Sequence, residues 1–256
     1  KELYGASHST LRRGLQNPLA LKDRILEHKK ESTDELIALG FTEVTLTKLW
    51  QNVSDDYFLR YSTEEVVWHT SAIASANQAD LPLVILRSQT RRASADVFIY
   101  AKNIGAIFSI STATMDQLGL TILDARIMTT IDNYVLNTFQ VLEKSGKSIN
   151  ESYRVNHICT SLRNNLIHQD VKEHRNIHRQ SRQAKHFPIP TNIIFHSDPQ
   201  SQHTILELIT TDRAGLLSQI GRVFNKHDIN LHSARIATIG SRVEDMFYIT
   251  DLNLQP

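Results

Sequence analysis

The residues of this chain best suited to chemistry sit in one short stretch, Thr211-Asp212-Arg213-Ala214-Gly215-Leu216-Leu217. The pattern around it predicts that an apolar strand runs in and a helix leaves. Asp212 then puts a carboxylate near a helix N-terminus, where unpaired amides and the helix dipole favour negative charge. Gly215 lets the backbone approach a neighbour or a ligand closely. Such a turn can hold a small zwitterion. The Asp212 carboxylate would meet the ammonium, and free helix amides would meet the carboxylate.

Histidines offer two further constellations. His69 follows Trp68 inside a predicted helix, with no Cys, Asp or second His at ligand spacing. It reads as a helix-face histidine beside a packed tryptophan. His174 and His178 are four apart in a basic stretch with Lys172, Arg175, Arg179, Arg182, Lys185 and His186. A helix would put both on one face, which makes half a metal site. Two further ligands are not evident, so the stretch reads as a solvated linker.

The elements that position these residues come from an internal repeat. Ala125-Arg126-Ile127-Met128-Thr129 matches Ala234-Arg235-Ile236-Ala237-Thr238 at an offset of 109. Backwards from there, Ile122, Leu120, Met115, Phe108 and Ile107 fall on Leu231, Ile229, Phe224, Leu217 and Leu216. Forwards, one residue is lost in a turn, and Asn137, Phe139 and Val141 meet Asp245, Phe247 and Ile249. Loops tolerate such a change of length. Each copy predicts a strand (Asp96 to Ala101; Thr204 to Thr210) and a helix (Ile107 to Leu118; Leu216 to His227). A strand follows (Thr121 to Thr129; Asn230 to Thr238), then a hairpin at Asp132-Asn133 or Gly240-Ser241, then another strand. The first copy adds a helix with Val155, Ile158, Cys159, Leu162 and Leu166 at helical spacing. Ile193-Ile194-Phe195 reads as a strand that closes the first copy. The order β-α-β-β-α, with a closing strand, is the ferredoxin-like unit.

Upstream, Leu21, Ile25, Leu36 and Ile37 suggest helical stripes, Gly40 a stop, and Leu49, Trp50 and Val53 one face of a further helix. Ser62-Thr63-Glu64-Glu65 is a capping box that opens a helix over about Thr63 to Ala76. The chain is thus expected to be α+β. A helical segment spans 1–80, and two ferredoxin-like βαββαβ units follow, 81–187 with the basic linker and 188–256 without its last helix and strand. It reads as a fragment of a longer polypeptide, with an open edge that invites swapping or dimerisation.

Thr211 to Leu217, Asp228-Ile229-Asn230-Leu231 and Ala234-Arg235-Ile236 together resemble the ACT domain, whose usual turn is Asp-Arg-Pro-Gly followed by an aliphatic pair. Ala214 stands for the Pro. In ACT domains that bind amino acids this turn contacts the ligand, and the Asn of the next strand reaches it from a partner module. The resemblance therefore nominates Asp212, Arg213, Gly215, Leu216 and Asn230. In the first copy Asn103 stands for the Asp, Gly105 for the Pro, Ala106 for the Gly and Thr121 for the Asn. That copy keeps hydrogen bonding at Asn103 but not the charge.

Longer strings widen the resemblance: Tyr57-Phe58-Leu59-Arg60, Trp68-His69-Thr70, Asp124 to Ile127 and Ala234 to Gly240. They are similar to the C-terminal part of the bacterial bifunctional uridylyltransferase/uridylyl-removing enzymes, which modify the P-II nitrogen signal protein. The resemblance implies two ACT domains that sense L-glutamine, and Mg²⁺ in catalytic domains elsewhere in the parent enzyme. It also leaves an alternative, that the ACT pair is a ligand-independent dimerisation or P-II docking module. Gly240-Ser241 with Glu244-Asp245 only echoes a nucleotidyltransferase's Gly-Ser and Asp-x-Asp metal pair. His227-Asp228 only echoes a phosphohydrolase's metal doublet. Both fall in turns of the repeat, so no catalytic residue, cofactor or metal is expected in this chain.

Bulk properties exclude other classes. Formal net charge is +1 over 256 residues, so the chain as a whole is no electrostatic nucleic-acid binder. No run of eighteen apolar residues exists to cross a membrane, and no signal peptide is expected. Cys159 is the one cysteine. No intramolecular disulfide can form, which suits a reducing, cytoplasmic setting.

Overall fold

The computed structural model describes residues 18–88, 94–169, 189–198, 203–213, 215–251 and 255. The chain divides into two compact units, 1–76 and 77–256.

The first unit is helical: α1 (Pro18–Ala38), α2 (Glu43–Trp50), α3 (Asp55–Arg60) and α4 (Thr63–Ser75). Gly40 ends α1 at φ +94°, and the Phe41 amide reaches back to the Leu36 carbonyl. That is the left-handed turn that terminates helices. Helix α2 begins earlier than its apolar face suggested, because the Thr42 hydroxyl caps the Thr45 amide. Leu46 is its buried residue. The capping box of α4 is complete: the Glu65 amide donates to Ser62 Oγ, and the Ser62 amide donates to Glu65 Oε2. Ser62→Ala should therefore cost about 1 kcal/mol, read as a lower thermal midpoint. His69 is fully buried, with Nδ1 3.2 Å from the Tyr57 hydroxyl and the Tyr61 ring edge-on at 4.9 Å.

The second unit holds the repeat as two four-stranded antiparallel layouts. In the first module, β1 (Leu83–Ser88), β2 (Ala95–Lys102), β3 (Leu120–Thr129) and β4 (Tyr134–Glu143) run in the order β1-β2-β4-β3. Helices α5 (Ile107–Gln117) and α6 (Ser152–His168) belong to it. In the second, β5 (Asn192–Asp198), β6 (His203–Thr211), β7 (Asn230–Arg235) and β9 (Arg242–Thr250) run β5-β6-β9-β7. A short β8 (Thr238–Ile239) pairs with β9, and α7 spans Leu216–Lys226.

The sheet order is the ferredoxin-like one, but the outer position beside β2 or β6 is filled from upstream in sequence. Ile193-Ile194-Phe195 does not close the first module. It lies in β5, whose residues pair with β6 from Asn192↔Ile209 to Asp198↔His203. The short connection makes this antiparallel partner the cheapest one to close. Both modules also break register at the same place in the repeat, between Ile122 and Asp124 and between Leu231 and Ser233.

The two modules share one core. Strand β3 of the first lies beside β7 of the second, and α5 packs on α7. Phe108, Phe139, Phe224 and Phe247 belong to the same buried cluster. Helix α5, caught between neighbours, buries Ser109, Ser111, Thr112 and Thr114 along with its apolar residues. Thr112 and Thr114 return their hydroxyl protons to the Phe108 and Ile110 carbonyls, and Thr114 Oγ1 also accepts from Asn165 of α6. Among the described residues, no helix is long and apolar enough to cross a membrane.

Candidate functional site

A pocket of about 140 Å³ opens where the two modules meet. Its walls come from both. The first module gives Thr112 and Asp116 from α5, Leu120, Thr121 and Ile122 from β3, and Lys144 just after β4. The second gives Asp212, Arg213 and Gly215 from the turn, Leu216 to Ser218 from the first turn of α7, and Val243 and Asp245 from β9. Drug-sized sites are roughly 300–1,000 Å³, so this space suits a small metabolite.

The turn is built as its residue types suggest. Gly215 is the N-cap of α7 at φ +74°, a left-handed conformation that side chains other than glycine resist. No side chain caps α7. The amides of Leu217 and Ser218 are among those a helix leaves without an internal acceptor, and they point the positive end of the dipole at the pocket. The Asp212 amide donates to the Ser241 carbonyl at 2.9 Å, which ties the turn to the β8–β9 hairpin.

Asp116, Asp212 and Asp245 face the pocket with the cations Lys144 and Arg213. Lys144 Nζ donates to Asp116 Oδ1 at 2.9 Å. Asp116 Oδ2 lies 3.8 Å from where a Cβ on Gly215 would stand, so the first module's carboxylate faces the second module's turn. Asp212 is exposed at the mouth. Loss of solvation holds its carboxyl above the usual value, against the Arg213 amide and the Lys144 charge, while Asp116 adds to the rise. Asp245 is wholly buried. Burial pushes its carboxyl up to about 7; the Ala237 amide pulls it down and the Asp212 charge pushes it up.

Five of the nominated residues, Asp212, Arg213, Gly215, Leu216 and Thr121, line this one pocket. The other three lie outside its lining. Asn230 donates to the Asp251 carbonyl at 2.9 Å. Asn103 accepts from the Gly105 amide in its own turn, and Ala106 is the N-cap of α5. Sequence reading passed over Asp116 and Lys144, and weighed Asp245 only as part of a metal-pair echo. Asp245 carried a signal: it falls in the inward register of a strand whose other inward residues are Val243, Phe247 and Ile249.

Among the described residues no three His, Cys, Asp or Glu are placed to hold a metal ion. His174 and His178 lie outside the described residues. Gly240-Ser241 is the β8–β9 turn, and His227-Asp228 ends α7, with Asp228 at φ +55°.

The chain is similar to several known proteins. Residues 20–72 match the family model described as the uridylyltransferase GlnD fifth domain, and residues 204–254 match the ACT domain. The whole chain is 44% identical over 256 residues to the bifunctional uridylyltransferase/uridylyl-removing enzyme of Methylococcus capsulatus. It is 38% identical over 260 residues to that of Stutzerimonas stutzeri. In each case it spans 29% of the relative's length. Aspartate kinase from Synechocystis superposes with a TM-score of 0.35 at 13% identity, over 75% of this chain and 29% of that one.

Proposed function

We infer that this chain, which matches over its whole length 29% of the bifunctional uridylyltransferase/uridylyl-removing enzymes, is a regulatory region that senses L-glutamine between its two modules. The observation that carries the reading is the pocket itself. A charged turn and open helix amides from one module face Thr121 and Asp116 from the other. A zwitterion seated there touches both modules, so its affinity depends on how they are placed. Ligand binding then biases any state in which that placement differs, by the difference in affinity between the states. In the parent enzyme the states would be those that add or remove uridylyl groups on P-II, with the catalytic Mg²⁺ held in other domains. The cytoplasm suits such a sensor.

Asp212→Ala tests the reading. A hydrogen bond to a charged group contributes roughly 1.5–3 kcal/mol, so glutamine affinity measured by calorimetry should fall at least about tenfold. Unchanged affinity would remove the turn from the site.

One observation favours a second reading, in which the pair assembles copies of the chain or docks P-II. Strand β5 is outermost in its sheet, with Ile193, Ile194 and Phe195 exposed. Such an edge is open to pairing. Light scattering with and without glutamine separates the two, since a ligand-independent dimer with no heat of glutamine binding supports assembly.

A further inference from the structure

Asp245 breaks the pattern of its own strand. Along β9 the inward residues Val243, Phe247 and Ile249 are apolar, and Asp245 stands among them with no exposed surface. Its Oδ1 accepts the Ala237 amide at 3.3 Å. Its Oδ2 is buried and has no hydrogen-bond partner among the described residues. A buried carboxylate oxygen without a donor is costly to fold. Charged groups that break a strand's apolar register in this way tend to mark functional sites.

The repeat makes the same point independently. Asn137 occupies the matching position in β4 and is 1% exposed, and its Oδ1 also has no partner among the described residues. Both modules thus keep an unfilled acceptor at the same place in the fold.

Position in the pocket decides what Asp245 could bind. Asp212 is at the exposed mouth beside the first turn of α7, where a zwitterion's ammonium and carboxylate are matched. Asp245 lines the same pocket but is fully buried. A ligand held by its backbone groups at the mouth would send its side chain inward to Asp245. We propose that Asp245 Oδ2 accepts the side-chain amide N–H of the bound amino acid, and that this contact selects an amide side chain over the corresponding carboxylate. The proposal rests on the amino-acid-sensing reading of the pocket. An amide supplies the donor that Oδ2 lacks, whereas a carboxylate supplies none and brings like charge.

Protonation of Asp245 should tune the selection. The other charged groups facing the pocket are Asp116 and Lys144 from the first module, and Asp212 and Arg213 from the second; no histidine lines it. With its carboxyl near 7, Asp245 is mostly ionised at about pH 8 and mostly protonated at about pH 6. Ionised, it accepts from an amide and repels a carboxylate. Protonated, it can donate to either, so the preference for the amide rises with pH.

The test is calorimetric titration of the chain with L-glutamine and L-glutamate at about pH 6 and about pH 8, for wild type, Asp245→Asn and Asp212→Ala. The wild type should prefer glutamine by at least about tenfold at the higher pH and by less at the lower. Asp245→Asn keeps the shape and the acceptor for Ala237, and its amide can donate to a carboxylate. It should lose most of the preference and its pH dependence. Should that variant misfold by circular dichroism, the wild-type pH dependence alone decides. A preference that is the same at both pH values, or kept by Asp245→Asn while Asp212→Ala abolishes binding, overturns the role of Asp245 and leaves the sensor reading standing. No binding of either amino acid by wild type overturns both.

Discussion

Phe247→Ala should cost the unit spanning 77–256 about 3–5 kcal/mol, a large part of the roughly 5–15 kcal/mol that holds a typical domain folded. Phe247 is fully buried on the inward face of β9. Its ring meets Phe224 of its own module edge-on, with centroids 5.4 Å apart at 81°. It meets Phe108 of the first module at 6.4 Å and 77°. Truncation therefore opens a cavity at the point where the two modules share their core, and neither α5 nor α7 can collapse into it without leaving the other. Denaturant unfolding reads the effect as a lower midpoint. Phe195→Ala is the control: that side chain is 63% exposed, and its loss should change stability by less than about 0.5 kcal/mol. Equal effects from the two would mean that the shared core does not hold the modules together.

Gly221→Leu should be nearly as damaging, by about 3 kcal/mol, the upper end of what overpacking costs. Gly221 of α7 lies directly against Phe108 and Ser109 of α5. A Cβ there would stand 2.8 Å from Ser109 Cβ, 3.0 Å from the Ser109 Cα and 3.0 Å from Phe108 Cδ1. Two of those atoms are fixed to the backbone of α5, so relief requires moving a helix. The Asn225 to Ser109 hydrogen bond, 3.1 Å across the same helix pair, would be pulled with it. Replacing a helix-interior glycine normally gains about 1 kcal/mol in propensity, so Gly221→Ala sets the two effects against each other. The clash with fixed atoms should win there too, with a smaller loss. Because the pocket lies between the same modules, glutamine affinity should fall in Gly221→Leu although Gly221 does not line it. A stabilised Gly221→Ala variant would show that the helices have room to part.

Much of the fold was legible because the chain says it twice. The offset of 109 aligned apolar positions across two copies, and the helix read as Ile107 to Leu118 spans Ile107–Gln117. The capping box placed the start of α4 because side-chain and backbone donors there satisfy each other locally. What was missed was the first strand of each copy. Ile193 to Phe195 was assigned to the wrong sheet, since an apolar run shows that a strand exists but not what it pairs with. Strand β1 went unread because the repeat was not followed that far back: at the same offset of 109, Val84, Ile85 and Leu86 fall on Ile193, Ile194 and Phe195.

The pocket was legible on one side only. The residue types at Asp212 and Gly215 announce a binding turn, because a carboxylate and a left-handed glycine at a helix start do that wherever they occur. Which residues of the first module face that turn depends on how β3 meets β7, and no local pattern encodes that. Thr121 therefore entered as the equivalent of Asn230, whereas in the structure it lies in the wall opposite Asp212. Asp245 was weighed only as half of a metal pair with Glu244. Its alternation with Val243 and Phe247, which puts it inward, was the more telling feature.

Hydrogen–deuterium exchange with and without L-glutamine tests most directly whether the ligand sits between the modules. The account predicts added protection in two separate stretches, residues 212–219 of the turn and α7, and residues 119–122 at the start of β3. Protection of the second-module turn alone, or of neither stretch at saturating glutamine, would contradict a site built from both modules.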